Sequence, residues 1–103
     1  MLDVLPNREC LLSFSYENFE GEFKPAAVLI SGIEAFRCTY LTSLTVEMIE
    51  SAYDRLVDMG ESQWLREVKS AGDSSRHSAS LKHLRICFDD GPCYEFICVA
   101  FRI

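Results

Sequence analysis

The side chains best suited to nucleophilic, ligating or proton-transfer chemistry in this chain are two histidines, His77 and His83, and five cysteines, Cys10, Cys38, Cys87, Cys93 and Cys98. His83 and Cys87 fall on one face of an alternating run. Four strand residues separate them by ~13 Å, too far for both to bind one metal ion directly. Neither CxxC nor HxxxH occurs, and the spacing of Cys87, Cys93 and Cys98 matches no zinc site. Asp89-Asp90-Gly91 has the acids and glycine that open a calcium loop but lacks the later oxygen ligands and the closing Glu. A Cys-His nucleophile pair would require His77, in a polar loop, to approach Cys93 or Cys98. GxSxG and a glycine-rich phosphate loop are missing, and periodicity brings no two buried carboxylates together. These residues predict no catalytic group, no metal site and no cofactor. The alternative is a small enzyme or ligand-binding domain with its pocket near the histidines and cysteines.

The last quarter of the chain would position most of these groups. Two alternating apolar runs flank Asp89-Asp90-Gly91-Pro92 and predict a β-hairpin. A three-residue loop closed by a left-handed Gly91 pairs Ile86 with Tyr94 and Leu84 with Phe96 on one face. Arg85 then meets Glu95, and Cys87 meets Cys93, on the other face. A two-residue loop would set Glu95 against Ile86, lose the ion pair and place a carboxylate among core side chains.

Upstream, Glu9 to Glu17 alternates as a half-buried strand. Ala26 to Ile30 predicts a second, and Ala35 to Tyr40 a third strand or a continuation of the second. Gly32 stands between them as either a turn or a bulge. A long helix is expected from Thr45, whose hydroxyl caps it, to Gly60, with Ile49, Ala52, Tyr53, Leu56 and Met59 on its apolar face. Its other side carries an acidic stripe of Glu47, Glu50, Asp54 and Asp58. Ser62 starts a shorter helix with Trp64, Leu65 and Val68 on one side, and residues 70–80 form a polar surface loop. In the last strand Ile97, Val99, Phe101 and Ile103 make a second apolar face that something must cover. The expected fold is α+β: one domain, residues 1–103, with a mainly antiparallel sheet of four or five strands, one long helix packed on one face and a second short helix.

Composition bounds the partners. Residues 1–62 hold eleven acids against four Lys or Arg, a balance of -7; residues 63–103 hold five against six, a balance of +1. A net charge of -6 disfavours nucleic acid and anionic membranes, which are bound through cationic side chains. No apolar run approaches the ~18 residues of a membrane span. The first residues lack the basic and apolar segments of a signal peptide. An odd number of cysteines at apolar strand positions predicts reduced thiols and a cytoplasmic setting.

Chain length, acidic balance and the closing residues Leu84 to Gly91 and Cys93 to Ile97 resemble small acidic bacterial single-domain proteins of the immunity-protein kind. That resemblance implies binding and neutralisation of a toxin. The expected function is non-catalytic protein binding with a basic protein partner, through Glu47, Glu50, Asp54 and Asp58 or through Ile97, Val99 and Phe101. A structural homodimer is a further alternative.

Overall fold

In a computed structural model, described for residues 2–52, 55–71, 80–88 and 91–103, the chain forms two antiparallel sheets of four strands each and two short helices. β1 (Leu2–Leu5), β2 (Glu9–Glu17), β3 (Phe23–Ser31) and β8 (Ala100–Arg102) build the first sheet in the order β1-β2-β3-β8. β4 (Ala35–Thr39), β5 (Val57–Asp58), β6 (Lys82–Cys87) and β7 (Cys93–Cys98) build the second in the order β4-β7-β6-β5. The α+β class is as expected; the single sheet of four or five strands is not. Cys10, Val28 and Ile30 of the first sheet and Leu84, Phe96 and Cys98 of the second form one buried cluster. Both sheets therefore share the main core.

The β6–β7 hairpin has the expected register, with Leu84 opposite Phe96, Arg85 opposite Glu95, Ile86 opposite Tyr94 and Cys87 opposite Cys93. Asp89 and Asp90 of its turn lie outside the described residues. Gly91 N donates to Phe88 O (3.4 Å). Among the described residues the left-handed glycines are Gly21, Gly32 and Gly60, and Gly91 is not one of them.

Gly32 is a turn. β3 ends one residue before it in the first sheet, and β4 begins three residues after it in the second. The chain makes the same change of sheet at Val99, between β7 and β8, where Val99 N donates to Ser31 O (3.2 Å). Gly32 has φ of 65°, and a Cβ there would lie 2.7 Å from Val99 Cγ2 and 2.8 Å from Val99 Cβ. Two crossings packed this closely leave room only for glycine.

The long helix is a correction. α1 (Val46–Ala52) ends well before Gly60, although Thr45 caps it as expected, its Oγ1 accepting Met48 N–H (3.2 Å). Leu56 packs against the cluster between the sheets, whereas Val57 packs against Ala52, Cys87 and Cys93 beneath α1. Consecutive side chains aimed into opposite layers have a period of two, which is a strand's and not a helix's. Val57 and Asp58 accordingly pair with Arg85 and Leu84. α2 (Gln63–Ala71) starts where expected, with Ser62 as its cap and Leu65 buried. Both helices contact β6, so the second sheet lies between the first sheet and the helices.

Cys87 and Cys93 are joined by a disulfide, with their Cα atoms 4.0 Å apart, while Cys10, Cys38 and Cys98 are free. This corrects the expectation of five thiols. The register that made these two cysteines direct neighbours also brings their sulfurs within bonding reach.

Two outcomes follow from these contacts. Gly32→Ala should lose ~2 kcal/mol or more in urea unfolding, from left-handed strain together with the Val99 overlap. Val99→Ala in that background should restore at most the part of the overlap due to Cγ2, because the contact with the Val99 Cβ remains, and an unchanged midpoint for Gly32→Ala would contradict the crossing. Alkylation of freshly prepared, denatured protein without reductant should label three cysteines, with two more labelled after reduction; five labels at the first step would contradict the disulfide.

Candidate functional site

The helix-covered face of the second sheet carries His83, Arg85 and Cys87 from β6 and Cys93, Glu95 and Ile97 from β7, in strict alternation with the face that packs on the first sheet. Glu95 is fully buried at its centre. Its Oε1 accepts from Arg85 Nε (2.8 Å) and from His83 Nε2 (2.9 Å), and its Oε2 accepts from Arg37 Nε (2.9 Å). Arg37 is placed by the β4–β7 register, in which it stands directly opposite Glu95. Glu95 therefore has a partner on each neighbouring strand.

The cluster reaches both helices. Arg85 Nη1 contacts Glu47 Oε1 of α1 (3.3 Å). His83 Nδ1 lies 2.7 Å from Ser62 Oγ, which also accepts Leu65 N–H (3.1 Å) at the start of α2. With its proton on Nε2, His83 donates to Glu95 and accepts the Ser62 hydroxyl on Nδ1, so every polar atom in this line is matched. Trp64 meets the His83 ring edge to face at 5.1 Å, and the Arg37 guanidinium sits 4.1 Å over the Trp64 ring. Among the described residues no buried side-chain nitrogen or oxygen lacks a partner.

Burial by itself would raise the Glu95 pKa. Hydrogen bonds from His83, Arg37 and Arg85, with the Arg85 charge added, outweigh it and hold the carboxyl at about 2, below its ordinary 4.5. The group is ionised throughout the neutral range.

Ser62, His83 and Glu95 stand in the order hydroxyl, imidazole, carboxylate of a nucleophile relay. Two features direct them to another task. Glu95 is shared between two guanidinium groups, so little of its charge is reserved for a developing imidazolium. Ser62 Oγ is already committed to capping α2. Two surface depressions lie away from the relay, one lined by Ser13, Phe14, Ser15, Pro25, Ala26 and Ala27, the other by Gln63, Arg66, Glu67, Ser70 and Ala71. No group of metal ligands is found among the described residues. The cluster fastens β4, β6, α1 and α2 to one residue of β7.

The residues singled out by sequence are dispersed. Glu47 and Glu50 are exposed on α1, but Asp58 lies in β5, where its Oδ1 accepts Gly60 N–H (2.9 Å). Asp54 and His77 lie outside the described residues. Ile97 is fully buried, Val99 packs against Gly32, and Phe101 is exposed at 42%. The Arg85–Glu95 pair was legible from the hairpin register. Arg37 and Ser62 were not singled out; the only local signals were a charge inside a β-run and a helix cap. No helix among the described residues is long and apolar enough to cross a membrane. No family description, curated protein or solved structure matches this chain.

Glu95 sets an acid limit on stability. Its folded pKa lies below the unfolded one, so its contribution is present above pH ~4.5 and is lost as pH falls toward 2. That shift corresponds to ~3 kcal/mol. Glu95→Gln should lose ~3–5 kcal/mol at pH 7 by leaving Arg85 without its buried counter-charge, and should flatten the acid limb of the stability profile. Parallel urea-midpoint profiles for variant and parent from pH 6 to pH 2 would contradict this.

Proposed function

We propose that the protein is a non-catalytic, acidic protein-binding domain whose partner is a basic protein. The observation that carries this reading is the division of labour between interior and surface. The carboxylate and imidazole best suited to chemistry, Glu95 and His83, are buried and hydrogen-bonded to one another and to neighbouring donors, while Glu17, Glu20, Glu22, Glu50, Asp58, Glu61 and Glu67 are all exposed on a chain of net charge -6. Such a surface attracts a cationic partner at long range and repels nucleic acid and anionic lipid. An immunity-type role, in which the bound partner is a toxin held inactive, is the form of this reading that the hairpin residues suggest. Glu50 is the exposed acid of α1 with the clearest path to such a partner, since Glu47 is engaged with Arg85 and Asp58 with Gly60 N–H.

With a partner isolated from the native host and both components purified, the association rate should fall severalfold as salt is raised from ~50 to ~300 mM, because screening shortens the Debye length. Glu50→Lys should slow association further without lowering the melting temperature. A partner of net negative charge, or a rate indifferent to salt, would overturn the proposal.

A further inference from the structure

The β2–β3 hairpin runs past the body of the protein. β1 pairs with β2 only as far as Leu12, and β8 pairs with β3 only over Leu29–Ser31, whereas β2 and β3 continue pairing to Glu17 and Phe23. Phe14 is the last side chain of this ribbon within the core, packing against Phe88 at 5.5 Å. Beyond it, residues 15–17 of β2 and 23–25 of β3 are exposed. The radius of gyration, 14.2 Å, exceeds the ~13 Å of a compact chain of this length, and the longest extent is 47 Å against 21 Å for the shortest. The ribbon projects.

Three aromatic side chains are exposed along this projection: Tyr16 at 49%, Phe23 at 74% and Phe19 fully. Register places Tyr16 on one face of the ribbon, beside Lys24, and Phe23 on the other, beside Glu17. Phe19 stands at the bend between them. Single exposed apolar residues are ordinary, but three aromatics on one ten-residue projection contribute nothing to this chain's own core. Aromatic side chains of this kind anchor protein interfaces by filling pockets in the facing surface.

The surroundings of the aromatics select the partner. Residues 15–24 contain Glu17, Glu20 and Glu22 against Lys24 alone, three negative charges less one positive, or -2. A second copy of the chain would bring -2 against -2 at a contact between projections. An anionic lipid surface would be repelled in the same way. A cationic protein surface with an apolar recess satisfies both the charge and the convex aromatic shape.

We infer that the β2–β3 projection is the docking element of this protein, inserting Phe19, flanked by Tyr16 and Phe23, into an apolar pocket rimmed by Lys or Arg on a basic protein. This rests on the protein-binding reading above and names the residues that make the contact. The projection shares no residue with the Glu95 cluster, so it can be altered without disturbing the fold.

The full-length chain carrying a photoreactive phenylalanine analogue at position 19, or at the exposed Val46 as control, is irradiated in its native host and its adducts are identified by mass spectrometry. The purified partner is then titrated with the parent, Phe19→Ser, and Glu20→Lys with Glu22→Lys. The expected result is an adduct to one basic protein from position 19 and not from 46. Phe19→Ser should weaken binding at least tenfold with an unchanged melting temperature, and the charge reversal should slow association and reduce its dependence on salt. A basic partner that crosslinks only from position 46, or binds Phe19→Ser as tightly as the parent, would overturn the projection as docking element and leave the broader reading standing. Adducts solely to a second copy of the chain, or to an acidic protein, would overturn both.

Discussion

Moving a carboxylate from water into a protein interior costs several kcal/mol unless counter-charges and hydrogen bonds replace its hydration. Glu95 meets that condition only when three other segments, β6, β4 and the start of α2, are in place around it. Arg85 comes from the hairpin partner strand, Arg37 from the strand on the opposite side, and His83 from one alternation along β6, itself held by the Ser62 cap of α2. The requirement works in both directions. Each element that supplies a donor is fixed by the anion, and loss of any donor leaves a charge stranded in the core. A cluster of this kind adds little net stability over an apolar replacement, but it discriminates strongly among alternative packings. In a chain with two sheets and short helices, such discrimination has an evident use: many pairings of eight short strands are conceivable, and few would match all of the Glu95 donors.

The second constraint is steric. Crossing from one sheet to the other happens twice, at Gly32 and at Val99, and the two crossings touch. They set the first sheet over the apolar face formed by Leu84, Phe96 and Cys98. The opposite face of the same strands is left to the helices and the charged cluster. The alternation of β6 and β7 thereby separates an apolar core from a polar one within a single hairpin.

The hairpin was legible in the sequence because only one register matched Arg85 to Glu95 and kept the carboxylate off the apolar side. Its burial was not legible, since that depends on where α1 and α2 land, and Arg37 lies 58 residues from Glu95 in sequence. The end of α1 is hidden in the sequence at Leu56 and Val57 for a related reason. Both residues suit an apolar helical face, and only the layers above and below β6 reveal that they point in opposite directions. β1 has no signature in the sequence, being four residues long with no pattern of its own; Asn7 and Arg8, both left-handed without being glycine, turn it back onto β2. For function, the acidic character was plain, but exposure of Phe19 and Phe23 is a property of the folded ribbon and not of their local sequence.

The claim that Glu95 holds distant elements together is tested most directly by native-state hydrogen exchange, comparing the parent with Glu95→Gln under conditions where both remain folded. The amide of Leu65 at the start of α2, the ladder amides of β4 and those of β6 should lose protection together, because the anion that fixes them has been removed. Loss of protection confined to the immediate neighbours of position 95, with Leu65 and β4 unchanged, would show that the cluster is a local feature and contradict the account.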